Sequence, residues 1–319
     1  MQIGVVIPSY KVTRHILDVI KSIGPEVTKI YVVDDACPDG SGDLVIKQNK
    51  DTRVVVLKHE KNQGVGGAVL TGYAKALEDG IDVVVKIDGD GQMNPALLPQ
   101  IVAPILSGKA DYAKGNRFDT LESLEQMPKI RIFGNAVLSL MSKMSSGYWN
   151  ITDPTNGYTA IHRGILSQLP LAKVNRRFFF ESDMLYRLAV MRAVVWDVPI
   201  AATYGDEKSN LKIGKVIWEF PRRHFANYLK RIFYQYYLRE LNIASFELPL
   251  GMVMVLFGAI TGFVRLAQST AGAGAASAGT VMLSAVPLIL GFQLILAFLS
   301  YDISSTPKRA RHGFELERD

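Results

Sequence analysis

Two aspartates separated by one residue form the loop Asp88-Gly89-Asp90-Gly91-Gln92, which follows an apolar run. Carboxylate oxygens are the ligands that Mg²⁺ and Mn²⁺ prefer, and the glycines let a ligand approach the backbone closely. A cation held there would neutralise charge on a leaving diphosphate. Asp-Gly pairs are also common in solvated turns, so the loop alone leaves both interpretations open. Its place after a predicted strand, near other strand-end carboxylates, favours the metal site.

Arginine side chains offer a second kind of chemistry. The guanidinium groups of Arg117 and Arg131 match phosphate oxygens in shape and charge, although each arginine alone is equally compatible with an ordinary surface position. No histidine or glutamate stands out as a general base. A reaction in which a phosphomonoester is the nucleophile requires no such base. The second pKa of a phosphomonoester is near 6, so it is already ionised at neutral pH.

The glycine-rich segment at residues 64–67 does not complete a dinucleotide fingerprint, because Val69 stands where the third glycine is required. The sequence also contains neither a P-loop motif nor a G-x-S-x-G nucleophile motif. These classes of nucleotide-binding and hydrolytic site are therefore unsupported.

The candidate residues follow strands in an alternating pattern of strands and helices. Apolar runs at 3–7, 30–33, 53–57 and 82–87 predict strands, and a further strand begins at 110–113. Such alternation predicts an α/β fold with a mostly parallel sheet, in which ligands bind at the carboxyl ends of the strands. Beyond Lys129, the pattern predicts a helix over 130–144 and a strand over 194–198.

Composition and charge narrow the class of protein. The 319 residues are 48% hydrophobic and 21% charged, which excludes a disordered chain and a fully polytopic membrane protein. The single cysteine, Cys37, excludes an internal disulfide and a CxxC site. The formal net charge is +6. Residues 208–240 contain eight Lys and Arg but only two acidic residues, so this stretch alone carries an excess of six positive charges. This stretch predicts an anionic partner.

Two apolar runs near the C-terminus, 246–266 and 281–301, are long enough to cross a bilayer at about 1.5 Å per residue. Basic residues flank both runs and are almost absent between them, which predicts that both termini are cytoplasmic. Residues 1–8 resemble a strand and not a signal peptide. The basic residues expected at the membrane surface before the first run are Arg222, Arg223, Lys230 and Arg231.

Apolar residues between 225 and 237 recur on one face of a helix that Pro221 is expected to begin. Together with the basic residues, this pattern predicts an amphipathic helix in the headgroup layer of a membrane. An ordinary core-facing helix is the alternative.

Several motifs in order resemble family 2 glycosyltransferases with the GT-A fold, most closely the polyprenyl-phosphate glycosyltransferases. They are VVIPSY at 5–10, VVDDACPDGSGD at 32–43, NQGVGGAVLTGYAKAL at 62–77, VVVKIDGDGQMNP at 83–95, GNRF at 115–118, RIFGNAVLS at 131–139, DPTNGYTAIHR at 153–163 and FFFESDMLYRL at 178–188. The resemblance implies a GT-A catalytic domain at 1–215, followed by an amphipathic helix at 216–245. Two membrane helices within 246–303 and a basic tail at 304–319 would complete the chain.

The resemblance also implies an activity: inverting transfer of a sugar, UDP-linked by analogy, from a nucleotide sugar to a polyprenyl phosphate such as undecaprenyl phosphate. The implied cofactor is Mg²⁺ or Mn²⁺, and the implied location is a bacterial or archaeal plasma membrane. The resemblance also assigns residues by position. The implied nucleotide contacts are Pro8, Tyr10, Asp35 and Asp88, and the implied metal ligands are Asp88, Asp90 and Gln92. The implied contacts to the acceptor phosphate are Arg117, Arg131, Asn135, Ser209 and Lys212, and the implied catalytic residues are Asp88, Asp90, Arg117, Arg131 and Asp153.

Two other functions remain open. A family 2 enzyme could extend a saccharide, although the Q-x-x-R-W signature of processive synthases is absent. A membrane-anchored nucleotide-binding scaffold without activity is the other alternative. Nucleic acid is not the expected partner, since the basic stretch adjoins a predicted membrane span and lacks a recognised binding module. Homo-oligomerisation is left open.

Overall fold

The computed structural model describes residues 1–118, 129–200, 213–272 and 274–312, with the backbone alone at 129–131 and 213–217. The chain divides into two compact units. The first comprises Met1–Tyr228 together with Pro307–Asp319, and the second comprises Leu229–Thr306.

A seven-stranded sheet forms the centre of the first unit, with strand order β3-β2-β1-β4-β6-β5-β7. The strands are β1 (Ile3–Ser9), β2 (Val27–Asp34), β3 (Val54–Lys58), β4 (Val83–Lys86), β5 (Tyr112–Asn116), β6 (Thr159–His162) and β7 (Val195–Pro199). Strand β6 pairs antiparallel with β4 and β5, and the remaining strand pairs are parallel. The expected α/β fold with a mostly parallel sheet is confirmed.

Helices cover both faces of this sheet. Those of the first unit are α1 (Ile16–Lys21), α2 (Ser41–Gln48), α3 (Val65–Glu78), α4 (Leu98–Leu106), α5 (Lys129–Ser146), α6 (Arg163–Leu166) and α7 (Phe180–Val190). One buried cluster joins the sheet to α3 and α7, and another joins it to α1 and α4. The central strands are therefore buried on both sides, which explains their continuous apolar sequences.

Among the described strands, β6 is the one that the sequence pattern missed. It has only four residues, all buried, and it lies between β4 and β5. Its sequence, Thr-Ala-Ile-His, lacks the continuous apolar run that marks β4, a strand of the same length. Its insertion brings the preceding turn, Asn156-Gly157-Tyr158, to the edge where β4 and β5 end.

Helix α8 (Ile213–Phe233) begins well before Pro221, so the expectation that this proline opens the helix is wrong. Proline inside a helix removes a hydrogen bond. Tertiary packing offsets that loss here, because Phe220 and His224 on either side of it are buried. The helix continues as one π-helical segment, Tyr234–Arg239.

The second unit contains two long apolar helices, α9 (Ala244–Thr270) and α10 (Ala278–Ser304). Both are long and apolar enough to cross a membrane, and only 11% of the most apolar window of each is buried. They pack closely at glycines: a Cβ on Gly291 would lie 2.8 Å from the carbonyl oxygen of Gly251. Small residues of this kind allow membrane helices to approach one another.

Arg231 corrects one prediction. It was expected at the membrane surface, but it is 1% exposed and its guanidinium lies 2.6 Å from Asp302 Oδ1 and 3.0 Å from Oδ2. Tyr236 donates to the same carboxylate at 2.6 Å. An aspartate inside an apolar helix requires a counter-charge, and Arg231 supplies it. The other three basic residues, Arg222, Arg223 and Lys230, are exposed, and their position at the membrane surface stays a prediction.

Candidate active site

The parallel strands bring most of the predicted residues to one edge of the sheet. Tyr10 lies just beyond β1, Asp35 beyond β2, Asp88 beyond β4 and Arg117 beyond β5. Because β6 runs in the opposite direction, the turn that precedes it lies at the same edge and brings Asp153 there. Carboxyl ends of parallel strands are where α/β proteins bind ligands.

A buried lysine forms an ion pair with the aspartate loop. Asp88 Oδ1 lies 2.9 Å from Lys86 Nζ, and Lys86 is 1% exposed whereas the Asp88 side chain is 30% exposed. Asp90 Oδ1 accepts a hydrogen bond from the main-chain N–H of Gln92 at 3.0 Å. Gly91 has φ of +79°, a conformation that favours glycine and turns the loop back on itself.

The donor set of this loop fits a hard divalent cation. Asp88, Asp90 and Gln92 offer two carboxylates and a side-chain amide oxygen. The described residues contain no group of three or more His, Cys, Asp or Glu that could hold a metal by itself. Mg²⁺ is typically held by one or two carboxylates with substrate phosphates and water completing its shell. The loop thus suits a cation that arrives with a diphosphate.

Asp35 is buried and organises the loop that leads into α3. Its Oδ1 lies 2.7 Å from His59 Nδ1 and accepts from the Gln63 amide at 2.8 Å, and its Oδ2 accepts from the Gly64 amide at 2.8 Å. These bonds stabilise the loop, and the nucleotide contact of Asp35 stays a prediction. Tyr10 is 40% exposed, and Pro8 is half-buried in β1.

Arg117 and Asp153 form a bidentate ion pair. The Arg117 Nε donates to Asp153 Oδ2 at 2.8 Å and its second amino group donates to Oδ1 at 3.1 Å. Burial alone would raise the pKa of Asp153, but the Arg117 guanidinium holds that pKa below its ordinary value. Arg117 remains 33% exposed, so a fully buried acid orients a guanidinium that solvent can reach.

The remaining predicted residues are placed less completely. Asn135 is half-buried on α5, and Ser139, one turn further, donates to the Thr152 carbonyl at 3.1 Å, which holds this helix beside the Asp153 loop. The side chain of Arg131 lies outside the described residues. Ser209 and Lys212 lie outside them altogether.

Three charged residues at this edge were not predicted: Lys86, Lys114 and Glu181. Both lysines are 1% exposed, and Lys86 Nζ lies 3.2 Å from Glu181 Oε1. A signal existed in the sequence, because a lysine within an apolar strand is almost never fully buried unless it is paired.

Comparison with known proteins identifies the family of this chain. Residues 4–169 match the family described as glycosyl transferase family 2. The chain is 28% identical over 216 residues to a UDP-N-acetylglucosamine–dolichyl-phosphate N-acetylglucosaminyltransferase of Methanococcus voltae, covering 63% of this chain and 86% of that protein. It is 31% identical over 205 residues to an undecaprenyl-phosphate mannosyltransferase of Micrococcus luteus, covering 63% and 83%.

Among solved structures, the fold is similar to glucosyl-3-phosphoglycerate synthase of Mycobacterium tuberculosis, crystallised with Mn²⁺ and uridine diphosphate. The TM-score is 0.55 at 21% identity, covering 72% of this chain and 79% of that one. At this identity the likeness supports the GT-A fold alone. By its family match and its curated relatives, the chain belongs to glycosyl transferase family 2, in the polyprenyl-phosphate glycosyltransferase branch.

Proposed function

We propose that this glycosyltransferase moves a sugar from a nucleotide sugar to a polyprenyl phosphate. The observation that carries the proposal is the shared sheet edge, where a loop of oxygen ligands lies with an arginine held by a buried acid. The loop of oxygen ligands suits a nucleoside diphosphate with its cation, and the arginine suits a phosphate acceptor. The dolichyl-phosphate and undecaprenyl-phosphate relatives support the same substrate class.

In this proposal Asp88, Asp90 and Gln92 hold Mg²⁺ or Mn²⁺, which supplies charge neutralisation at the leaving diphosphate when bound. Arg117 binds the acceptor phosphate, and Asp153 keeps the guanidinium in one orientation. A phosphate oxygen attacks the anomeric carbon, the bond from that carbon to the diphosphate oxygen breaks, and the configuration inverts. The acceptor needs no general base, because it is already ionised.

A lipid acceptor requires the enzyme to work at a membrane, and both units have suitable surfaces. The two long helices of the second unit are apolar and exposed. In the first unit, α5 exposes Phe133, Val137, Leu140 and Met144, which recur at helical spacing along one side. We place the protein in a bacterial or archaeal plasma membrane with its catalytic unit and both termini in the cytoplasm, as the basic flanks of the two apolar runs favour.

The test is incubation of the purified protein with a panel of radiolabelled nucleotide sugars and Mg²⁺ or Mn²⁺, in parallel with undecaprenyl phosphate and with saccharide acceptors. We expect labelled lipid from at least one donor, and UDP-linked sugars are the first choice. Labelled product on a saccharide acceptor alone would support a saccharide-extending enzyme. Nucleotide binding without transfer to either acceptor would support a scaffold. Either result would refute the proposal.

A further inference from the structure

Two buried lysines lie on β4 and β5, on either side of β6. Lys86 in β4 is in register with Thr159 in β6, and Thr159 is in register with Lys114 in β5. Directly paired residues point to the same face of a sheet, so the three side chains form one row. Both lysines are 1% exposed, so neither ammonium can reach solvent.

Each lysine is attached to a different loop of the active site. Lys86 Nζ lies 2.9 Å from Asp88 Oδ1 and 3.2 Å from Glu181 Oε1. Lys114 Nζ instead donates to the main-chain carbonyl of Asp153, whose carboxylate holds Arg117.

The turn before β6 touches both attachments. A Cβ on Gly157 would lie 2.4 Å from Lys86 Nζ and 3.0 Å from Asp88 Oδ2, so the backbone covers this pair closely. In the same turn, Asn156 Nδ2 donates to Asp153 Oδ2 at 3.4 Å. The packing leaves Lys86 and the Asp153 loop little room to shift.

The electrostatics of the two lysines differ. Lys86 lies between two carboxylates, those of Asp88 and Glu181. Burial lowers the pKa of Lys114, and the charges of Asp153 and Asp197 only partly oppose it. Burying an ammonium is unfavourable unless it is paired, and an apolar side chain would fill the same space without that cost. Position is therefore what these lysines contribute.

We propose that Lys86 and Lys114 are positioning residues for different substrates. Lys86 fixes Asp88 for the nucleotide sugar, and Lys114 fixes the Asp153 loop, and through it Arg117, for the acceptor phosphate. Neither lysine touches a substrate. The inference rests on the proposed function for the identity of the two substrates, and it adds a division of labour between adjacent strands.

The test compares Lys86→Met and Lys114→Met in the full-length protein, with exposed Lys109→Met as the matched control. Removing a residue that orients a ligand typically costs 10- to 100-fold in affinity or activity. Lys86→Met should raise the KM for the nucleotide sugar at least about 10-fold and leave the KM for undecaprenyl phosphate within about twofold. Lys114→Met should do the reverse, and the control should change neither.

Two measurements separate positioning from general damage. Calorimetric binding of the nucleoside diphosphate with Mn²⁺, without acceptor, should weaken about 10-fold in Lys86→Met and stay within about twofold in Lys114→Met. Adding Lys114→Met to Arg117→Ala should raise the acceptor KM by no more than about twofold over Arg117→Ala alone. Both substitutions act through the Arg117 guanidinium, so their effects should not add. If a methionine variant does not fold, the glutamine variant at the same position takes its place.

Equal losses for both substrates in both variants would overturn the proposal, as would unchanged nucleotide affinity in Lys86→Met. A wild-type protein that binds nucleotide but transfers no sugar to undecaprenyl phosphate would refute the proposed function and the Lys114 half together. The Lys86 half would then still be decided by calorimetry.

Discussion

His224 makes stability depend on pH in a direction that can be worked out from its contacts. Its Nδ1 lies 2.8 Å from Ser145 Oγ, and the Ser145 hydroxyl donates to the Ser142 carbonyl at 3.2 Å. When the hydroxyl makes that bond, His224 donates to it from Nδ1. The Phe179 and Phe220 rings lie 4.9 and 6.4 Å from the imidazole, and burial lowers the pKa of His224 to about 4.

The sign follows from which state binds the proton. Between pH 6.5 and about 4, the unfolded chain protonates this histidine and the folded chain does not. The free energy of unfolding therefore falls as the pH falls through this window, and the loss is absent above pH 6.5 and complete below pH 4. At about 1.4 kcal/mol per pH unit, the full loss is about 3 kcal/mol.

The assay is denaturant unfolding of the detergent-solubilised wild type and of His224→Asn, followed by tryptophan fluorescence from pH 7 to pH 4. Asparagine keeps an N–H donor for Ser145 but does not titrate. We expect the variant to be less stable at pH 7, because a smaller side chain leaves a cavity, and to lose about 3 kcal/mol less than wild type on acidification. Parallel pH curves for the two proteins would refute the reasoning.

Three further perturbations test other parts of the molecule. Asp90→Asn should lower kcat at least about 100-fold in the lipid-transfer assay without changing membrane insertion, because the proposed cation ligand is lost; near-wild-type transfer would reject the metal role. Gly291→Ala should destabilise the apolar helix pair by about 2 kcal/mol in detergent melts, since its Cβ would meet a carbonyl at 2.8 Å. Gly262→Ala is its control, because the nearest atom there is 3.6 Å away. Asp111→Asn should speed tryptic cleavage after Arg311 at least about 10-fold, because the buried carboxylate accepts the Arg311 amide at 2.9 Å; unchanged cleavage would show that other contacts hold the tail.

The sequence alone was sufficient for the class of fold and for the candidate loops. Apolar strands buried on both faces have a continuous pattern that needs no tertiary information, so β1 and β4 were predicted close to their observed bounds. For β2, the predicted residues 30–33 lie inside a longer strand. The two long apolar helices were predicted for the same reason, since length and hydropathy are local properties. The order of the motifs indicated the family, which the family match confirms.

Only the tertiary structure decided which charges are paired. Arg231 and Asp302 are 71 residues apart, and Lys86 and Glu181 are 95 apart, so no local pattern brings either pair together. The same holds for the insertion of β6 between β4 and β5, which brings Asp153 to Arg117. Hydrophobic periodicity is set by neighbours along the chain, whereas the partner of a buried charge is set by which strands and helices lie next to each other after folding.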